Sequence, residues 1–187
     1  GERVNVLRYW LCESGVEPPS TARLTEALRQ ILDAQLDHMP AIPWGHCALR
    51  RYRQRIFITA AELPQLDGAR RWRVGGDSRV ELGPQLGSLR WAAQIGGLDP
   101  QHLPEFLTVR RRGGGETIRP SRGAKTQTVQ HLCQAQGVLP WMRDALPLVF
   151  ADEALIAVAD LWQEASRSAA DGAPGLAIRW ENPPIIV

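Results

Sequence analysis

The residues best suited to binding chemistry lie between Thr108 and Lys125, in a stretch that reads TVRRRGGGETIRPSRGAK. We call residues 108–125 the basic loop, because it carries six basic side chains and only one acidic one, Glu116. A guanidinium can fork onto a phosphate or stack on a nucleic-acid base. The stretch therefore predicts a polyanion contact made by Arg110, Arg111, Arg112, Arg119, Arg122 and Lys125.

Glycines interrupt the basic run directly after its three consecutive arginines. Without side chains, Gly113, Gly114 and Gly115 would let the backbone approach a polyanion and expose N–H donors to phosphate oxygens. Because side chains alternate along a strand, Arg110 and Arg112 are expected to share a face. The alternative is a solvated turn whose arginines pair with acids elsewhere in the chain.

A second basic cluster contains an aromatic side chain, Tyr52, and no acid lies between residues 41 and 61. Arginines interleaved with an aromatic residue suit RNA, although an ordinary exposed hairpin tip has the same composition. The chain has 22 basic residues, and Lys125 is the only lysine. Two explanations are open for this use of arginine in place of lysine: phosphate recognition and a GC-rich genome. The members of this second cluster are Arg50, Arg51, Arg53 and Arg55.

No residue set predicts catalysis or a metal site. Residues 74–78, VGGDS, are similar to an SGGxDS phosphate loop, but the leading serine and the spacer before Asp77 are missing, and the flanks predict two strands around a tight turn. The three cysteines are odd in number and form no CxxC pair, which disfavours disulfides or structural zinc. Acids such as Asp144 and Asp152 are assigned to ion pairs or turns. We therefore expect no cofactor and no metal in this chain.

Hydrophobic periodicity predicts an α+β chain in two small modules. Residues 1–60 form a helical module that ends in a β-hairpin, with helices over 4–13 and 21–37. Residues 61–105 form a β-rich connecting segment whose last part, 96–105, is a looser link. Residues 106–187 form a small mixed module with a helix over 126–136. No apolar run is long enough to span a membrane, and no secretory signal is present, so we expect a cytoplasmic protein.

Two stretches resemble a known family. RRRGGGETIRPSRG, a helix and then GVLPWMRDALPLVFADEALIAVADLW resemble the C-terminal domain of the bacterial tRNA(Ile)-lysidine synthetases, and NVLRYWLCESGVEPPS with WGHCALRRYRQRIFI is similar to that family's substrate-binding domain. The resemblance covers residues 4–58 and 107–162. The positions that match the C-terminal pattern are Gly114, Gly115, Glu116, Arg119, Pro120, Pro140, Trp141, Arg143, Asp144, Pro147 and Leu148.

The resemblance implies a tRNA-binding part of a carbon–nitrogen ligase. The whole enzyme of that family uses ATP with Mg²⁺ to attach lysine to the anticodon cytidine of tRNA(Ile), in an N-terminal PP-loop domain that we expect this chain to lack. The implied partners are tRNA(Ile) and that catalytic domain, with no membrane, and a homodimer is left open. Arg143 is added as a weaker RNA contact. Two rival interpretations remain: a protein-interaction or structural support module without RNA contact, and a self-sufficient enzyme.

Overall fold

The computed structural model describes residues 1–34 and 40–184. The chain divides into two compact units, residues 1–63 and residues 64–184. Both units combine helices with antiparallel sheets, which confirms the predicted α+β class.

The first unit contains two helices followed by a three-stranded antiparallel sheet in the order β1-β2-β3. Helix α2 begins where the Ser20 hydroxyl accepts a hydrogen bond from the backbone N–H of Arg23. Both helices bury one face, with Leu7 and Leu11 on α1 and Leu24 and Ile31 on α2. The elements are α1 (Glu2–Glu13), α2 (Thr21–Asp33), β1 (Ala41–Trp44), β2 (Cys47–Tyr52) and β3 (Arg55–Ala60).

Strand β1 is absent from the predicted elements, because Pro40 and Pro43 disfavour regular structure in sequence. The structure places Pro43 within β1, which lies at the edge of the sheet and, among the described residues, pairs only with β2. A proline is tolerated on an edge strand because its missing N–H need not serve a second neighbour. The predicted end of the second helix, at residue 37, lies outside the described residues.

The second unit is built on a five-stranded antiparallel sheet in the order β12-β11-β10-β7-β4. A three-stranded sheet, β13-β6-β5, and a two-stranded ribbon, β8-β9, accompany it. Its elements are β4 (Arg70–Arg73), β5 (Arg79–Gly83), β6 (Gly87–Ile95), β7 (Phe106–Arg110), β8 (Thr117–Ile118), β9 (Gln127–Thr128), α3 (Val129–Gln136), α4 (Pro140–Arg143), β10 (Leu148–Ala151), β11 (Ala154–Val158), β12 (Trp162–Gln163) and β13 (Pro174–Glu181).

The five-stranded sheet has a hydrophobic core on each face. Along β10, Val149 and Ala151 join the core shared with the three-stranded sheet, whereas Leu148 and Phe150 join the core under α3 and β8. This alternation is the period of two that a strand buried on both sides requires. Burial of each large apolar side chain contributes roughly 1.5–3 kcal/mol.

One face of the five-stranded sheet carries the core under α3 and β8. Strands β7 and β4 extend this face beyond that core. Register pairs Thr108 with Phe150 and with Arg71, so these three side chains share one face. On this part of the face, Phe106, Thr108 and Arg110 are half-buried, and Arg71 and Arg73 are exposed. We call these five residues the open sheet face.

The segment over 61–105 differs from the predicted connecting segment. Residues 64–105 belong to the same unit as the C-terminal residues, and Leu98, in the predicted looser link, is fully buried. Its backbone exchanges hydrogen bonds of 2.7 and 2.8 Å with Leu176. A Cβ at Gly97 would lie 2.5 Å from the carbonyl oxygen of Leu176, so Gly97 serves close backbone approach here, where the sequence suggested looseness.

Candidate nucleic-acid interface

Arg110 lies at the end of β7, where the sheet passes into the basic loop. Its guanidinium carbon is 3.9 Å from the centre of the Phe150 ring, and Phe150 is almost fully buried beneath it. A guanidinium in contact with an aromatic face is held in orientation while its N–H edges stay available. Arg110 makes no ion pair with a described residue, so its charge is free to meet an anion.

The glycine turn, residues 113–115, already donates backbone hydrogen bonds to a carboxylate of the same loop. The N–H of Gly113 donates to Glu116, and the N–H of Gly114 donates to both Glu116 carboxylate oxygens at 3.1 Å. Gly114 and Gly115 have φ values of 98° and 83°, a conformation that favours glycine. The expectation that this turn offers free N–H donors to phosphate is therefore wrong for Gly113 and Gly114, because Glu116 accepts from both.

Three basic-loop arginines lie beside carboxylates that are distant in sequence. Arg112 lies 3.9 Å from Asp144, Arg119 lies 3.7 Å from Glu164 and Arg122 lies 3.0 Å from Asp171. The guanidinium of Arg122 also donates to the carbonyl of Ala169 at 2.8 Å. The local excess of positive charge is thus smaller in space than in sequence, because folding brings in acids from outside the loop.

Arg111 and Lys125 are the exposed members of the loop that have no carboxylate partner in the part of the chain that the structure describes. Arg111 donates a 3.3 Å hydrogen bond to the side chain of Gln65, and Lys125 contacts no hydrogen-bond acceptor among the described residues. With Arg110, they are the cations of the basic loop best placed to bind a phosphate.

Arg143 has a structural contact. Its Nε donates to the carbonyl of Val138 at 3.0 Å, and the side chain is half-buried. This bond joins α4 to the residue that follows the glycine end of α3. Its position gives no support to a role as a main RNA contact.

The second basic cluster splits into two inward and two outward arginines. Arg50 donates to the Thr59 hydroxyl at 2.9 Å, and its burial lowers the pKa of its guanidinium. Arg51 donates to the carbonyls of Ile31, Leu32 and Ala34 at the end of α2, at 2.9 to 3.2 Å. A cation at a helix C-terminus satisfies carbonyls that lack intrahelical partners. Both arginines stabilise the first unit.

Arg53 and Arg55 occupy the exposed end of the β2–β3 hairpin. Arg53 has a φ of 55°, and its guanidinium carbon lies 5.2 Å from the centre of the Tyr52 ring. Neither Arg53 nor Arg55 makes an ion pair with any residue that the structure describes. These two are therefore the members of the cluster available to a partner.

Sequence reasoning missed Arg71 on the open sheet face. Its guanidinium carbon lies 3.6 Å from the centre of the Phe106 ring, and the side chain is exposed. The available signal was the alternation of Arg71, Trp72 and Arg73, which places a buried tryptophan between two outward arginines.

A groove of about 680 Å³ lies beside the glycine turn. Two arginines, Arg110 and Arg167, line it together with three acids, Glu116, Glu153 and Glu164. This mixture of charges does not suit a deep phosphate pocket, so the geometry favours a surface contact.

Glu164 fixes the far side of the basic loop. Its carboxylate accepts hydrogen bonds from the N–H groups of Arg119 and Ser166 at 2.8 and 3.2 Å, and from the Ser166 hydroxyl at 2.9 Å. Burial alone would raise the pKa of this carboxyl, but these hydrogen bonds and the charge of Arg119 lower it below its usual value. The loop position is therefore tied to the ionised form of Glu164.

Replacing Glu164 with glutamine is expected to lower the free energy of unfolding by about 1–2 kcal/mol at pH 7. Because the folded pKa is depressed, the ionised carboxylate stabilises the fold above its unfolded pKa of about 4.3, and this contribution is lost as pH falls through the folded value. Urea unfolding at pH 7 and pH 3 should show the wild type and Glu164→Gln converging in acid. An equal difference at both pH values would contradict the assignment.

The VGGDS stretch is a turn between two strands. β4 ends at Arg73 and β5 begins at Arg79, and Gly75 and Gly76 have φ values of 76° and 62°. This confirms the predicted turn, and because no helix begins there, these residues do not fit an ATP phosphate. Within residues 1–34 and 40–184, no cluster of three His, Cys, Asp or Glu side chains could hold a metal ion. Nor is any helix in those ranges long and apolar enough to cross a membrane.

Comparison with known proteins matches each unit to a domain model of one protein family. A model described as the TilS substrate binding domain matches residues 2–57, and one described as the TilS substrate C-terminal domain matches residues 107–180. The chain belongs to the TilS family, whose relatives are named tRNA(Ile)-lysidine synthase. The resemblance over residues 4–58 and 107–162 is thereby confirmed.

The named relatives are longer than this chain. The tRNA(Ile)-lysidine synthase of Alkalilimnicola ehrlichii is 35% identical over 161 residues, covering 84% of this chain and 35% of that protein. That of Xylella fastidiosa is 30% identical, covering 96% of this chain and 40% of that protein. The chain thus spans little more than a third of the curated relatives it matches. A crystal structure of a TilS C-terminal domain aligns with 60% of this chain and 98% of its own, at 17% identity and a TM-score of 0.47.

Proposed function

We propose that this chain holds tRNA(Ile) for the modification reaction after which its relatives are named. The observation that supports the proposal is a set of predicted RNA-contacting cations without ion-pair partners among the described residues. They are Arg53, Arg55, Arg110, Arg111 and Lys125.

The role we propose is orientation. Contacts to the tRNA body would present the anticodon loop to a catalytic site, and such holding supplies proximity without bond chemistry. Phosphate contacts fix the register of a nucleic acid, and selecting one tRNA among similar ones requires contacts far from the reacting base.

We further propose that the ATP-dependent ligation of lysine, with its Mg²⁺, belongs to an N-terminal PP-loop domain of the parent protein, and that the reaction takes place in the cytoplasm. The lack of fit between the VGGDS turn and an ATP phosphate supports this division. Incubated with ATP, Mg²⁺, lysine and tRNA, the 187-residue chain is expected to bind the tRNA without forming lysidine. Turnover would contradict the division of roles.

Salt dependence is the test of the binding proposal. If about five phosphates are neutralised, log K for a tRNA(Ile) transcript should fall with log salt at a slope of roughly −3.5 to −4.5. Fluorescence anisotropy with labelled transcript, from low to physiological salt, measures this slope.

The outcome also separates the proposal from its rival. Absence of tRNA binding, or binding without salt dependence, would contradict phosphate recognition. If the chain bound an acidic protein surface and not tRNA, the support-module interpretation would stand in its place.

A further inference from the structure

Strand β4 lies outside both family matches, which cover residues 2–57 and 107–180. It nevertheless completes the sheet that carries Arg110, because β4 pairs with β7 along its whole length. Trp72 points into the core, so its neighbours Arg71 and Arg73 emerge on the open sheet face. A segment outside the matched regions thus adds arginines to the surface next to the basic loop.

Arg71 and Arg110 have the same local arrangement. Each guanidinium carbon lies over an aromatic ring, at 3.6 Å from the Phe106 centre and 3.9 Å from the Phe150 centre. Arg71 is directly opposite Thr108, two residues before Arg110 on β7. The backbones of diagonal neighbours of this kind are about 7–8 Å apart, so the two arginine side chains start from the same surface. The Arg71 guanidinium then lies over Phe106 on β7, and the Arg110 guanidinium lies over Phe150 on β10.

Arg71 and Arg73 differ in whether they form an ion pair. Arg73 lies 3.5 Å from Glu105, and both side chains are about two-thirds exposed. Arg71 makes no ion pair within the part of the chain that the structure describes. Its ring contact uses the face of the guanidinium, which leaves the in-plane N–H groups free to fork onto a phosphate.

We propose that Arg71 is a further RNA contact, which binds a backbone phosphate beside the one bound by Arg110. The inference rests on the proposed function and extends the RNA surface from the basic loop across β7 to the edge strand β4. Phe106 is the positioning residue, because the centre of its ring lies 3.6 Å from the Arg71 guanidinium carbon.

The experiment compares single variants of the complete 187-residue chain binding a tRNA(Ile) transcript. Arg71→Gln is expected to weaken binding about 3- to 10-fold and to make the salt slope shallower by roughly 0.7–0.9, as for one lost phosphate contact. Arg71→Lys keeps the charge but not the planar fork, so it should keep the slope and lose about two- to threefold in affinity.

The matched control is Arg179→Gln, an exposed arginine on β13 whose side chain bonds Gln94 at 3.3 Å. It changes the charge equally and should leave the affinity within about twofold. Phe106→Leu should weaken binding through loss of positioning and leave the slope unchanged. If Phe106→Leu fails to fold, the comparison of Arg71→Lys with Arg71→Gln makes the same distinction.

The two proposals fail in different ways. If the wild type binds and an Arg110 variant is weakened, while Arg71→Gln matches Arg179→Gln, the inference about Arg71 is wrong and the proposed function stands. If Arg71→Gln causes edge-to-edge association with unchanged RNA affinity, Arg71 only protects the sheet edge and the inference is wrong. If the wild type does not bind the transcript, the proposed function itself is wrong.

Discussion

Replacing Arg110 and Arg111 together with glutamine is expected to weaken binding of a tRNA(Ile) transcript by about 10- to 100-fold at physiological salt. An exposed contact with a phosphate is screened by solvent and should contribute about 0.7–1.4 kcal/mol, and every 1.4 kcal/mol corresponds to a tenfold change in affinity. Loss of two such contacts therefore corresponds to about 1.4–2.8 kcal/mol. Stability should change little, by about 0.5–1 kcal/mol, because the fold loses only the contact of Arg110 with Phe150 and the exposed hydrogen bond of Arg111 to Gln65. Anisotropy and thermal unfolding measure the two effects separately.

The control variant carries Arg119→Gln and Arg122→Gln. It also removes two positive charges from the basic loop, but these two arginines lie beside Glu164 and Asp171. A charge already neutralised attracts phosphate weakly, so the loss in affinity should stay below about threefold. An equal loss in both double variants would mean that total loop charge, and not the unpartnered arginines, governs binding.

Replacing Trp72 with alanine is expected to lower the free energy of unfolding of the second unit by about 3–5 kcal/mol. Trp72 is 1% exposed, and its ring stacks on Trp91 with centroids 4.3 Å apart. The substitution leaves a cavity between the two sheets that surrounding side chains cannot fill. Total stabilities of about 5–15 kcal/mol make this a large fraction, visible in urea unfolding followed by circular dichroism.

Ile95→Ala is the matched control, because Ile95 lies on β6 of the same unit but is 66% exposed. It should change stability by less than about 0.5 kcal/mol. If Trp72→Ala were equally mild, β4 would be dispensable to the fold.

The sequence predicted those helices, hairpins and turns whose conformation is decided by residues close together along the chain. The helix predicted from residue 21 begins at Thr21, directly after its cap Ser20, and its buried residues Leu24 and Ile31 keep helical spacing. The hairpin of β2 and β3 and the turn at Gly75-Gly76 also follow from neighbouring residues alone. In each case, the side chains that decide the conformation lie within a few positions of one another.

Long-range contacts explain what the sequence could not predict. Arg51 looks like an RNA contact in sequence, but folding places it at the carbonyls of α2, 17 to 20 residues away. Arg122 meets Asp171, 49 residues away. Such pairings depend on tertiary structure, so a count of charges along the chain overestimates the free charge of the basic loop.

The most direct measurement is the salt dependence of tRNA(Ile) affinity for the complete chain, beside the same series for the Arg110→Gln, Arg111→Gln variant. If unpartnered arginines bind phosphates, the wild-type slope of roughly −3.5 to −4.5 should become shallower by about 1.4–1.8 in the variant. Two parallel lines would show that these side chains touch no phosphate, and would contradict the proposed RNA surface.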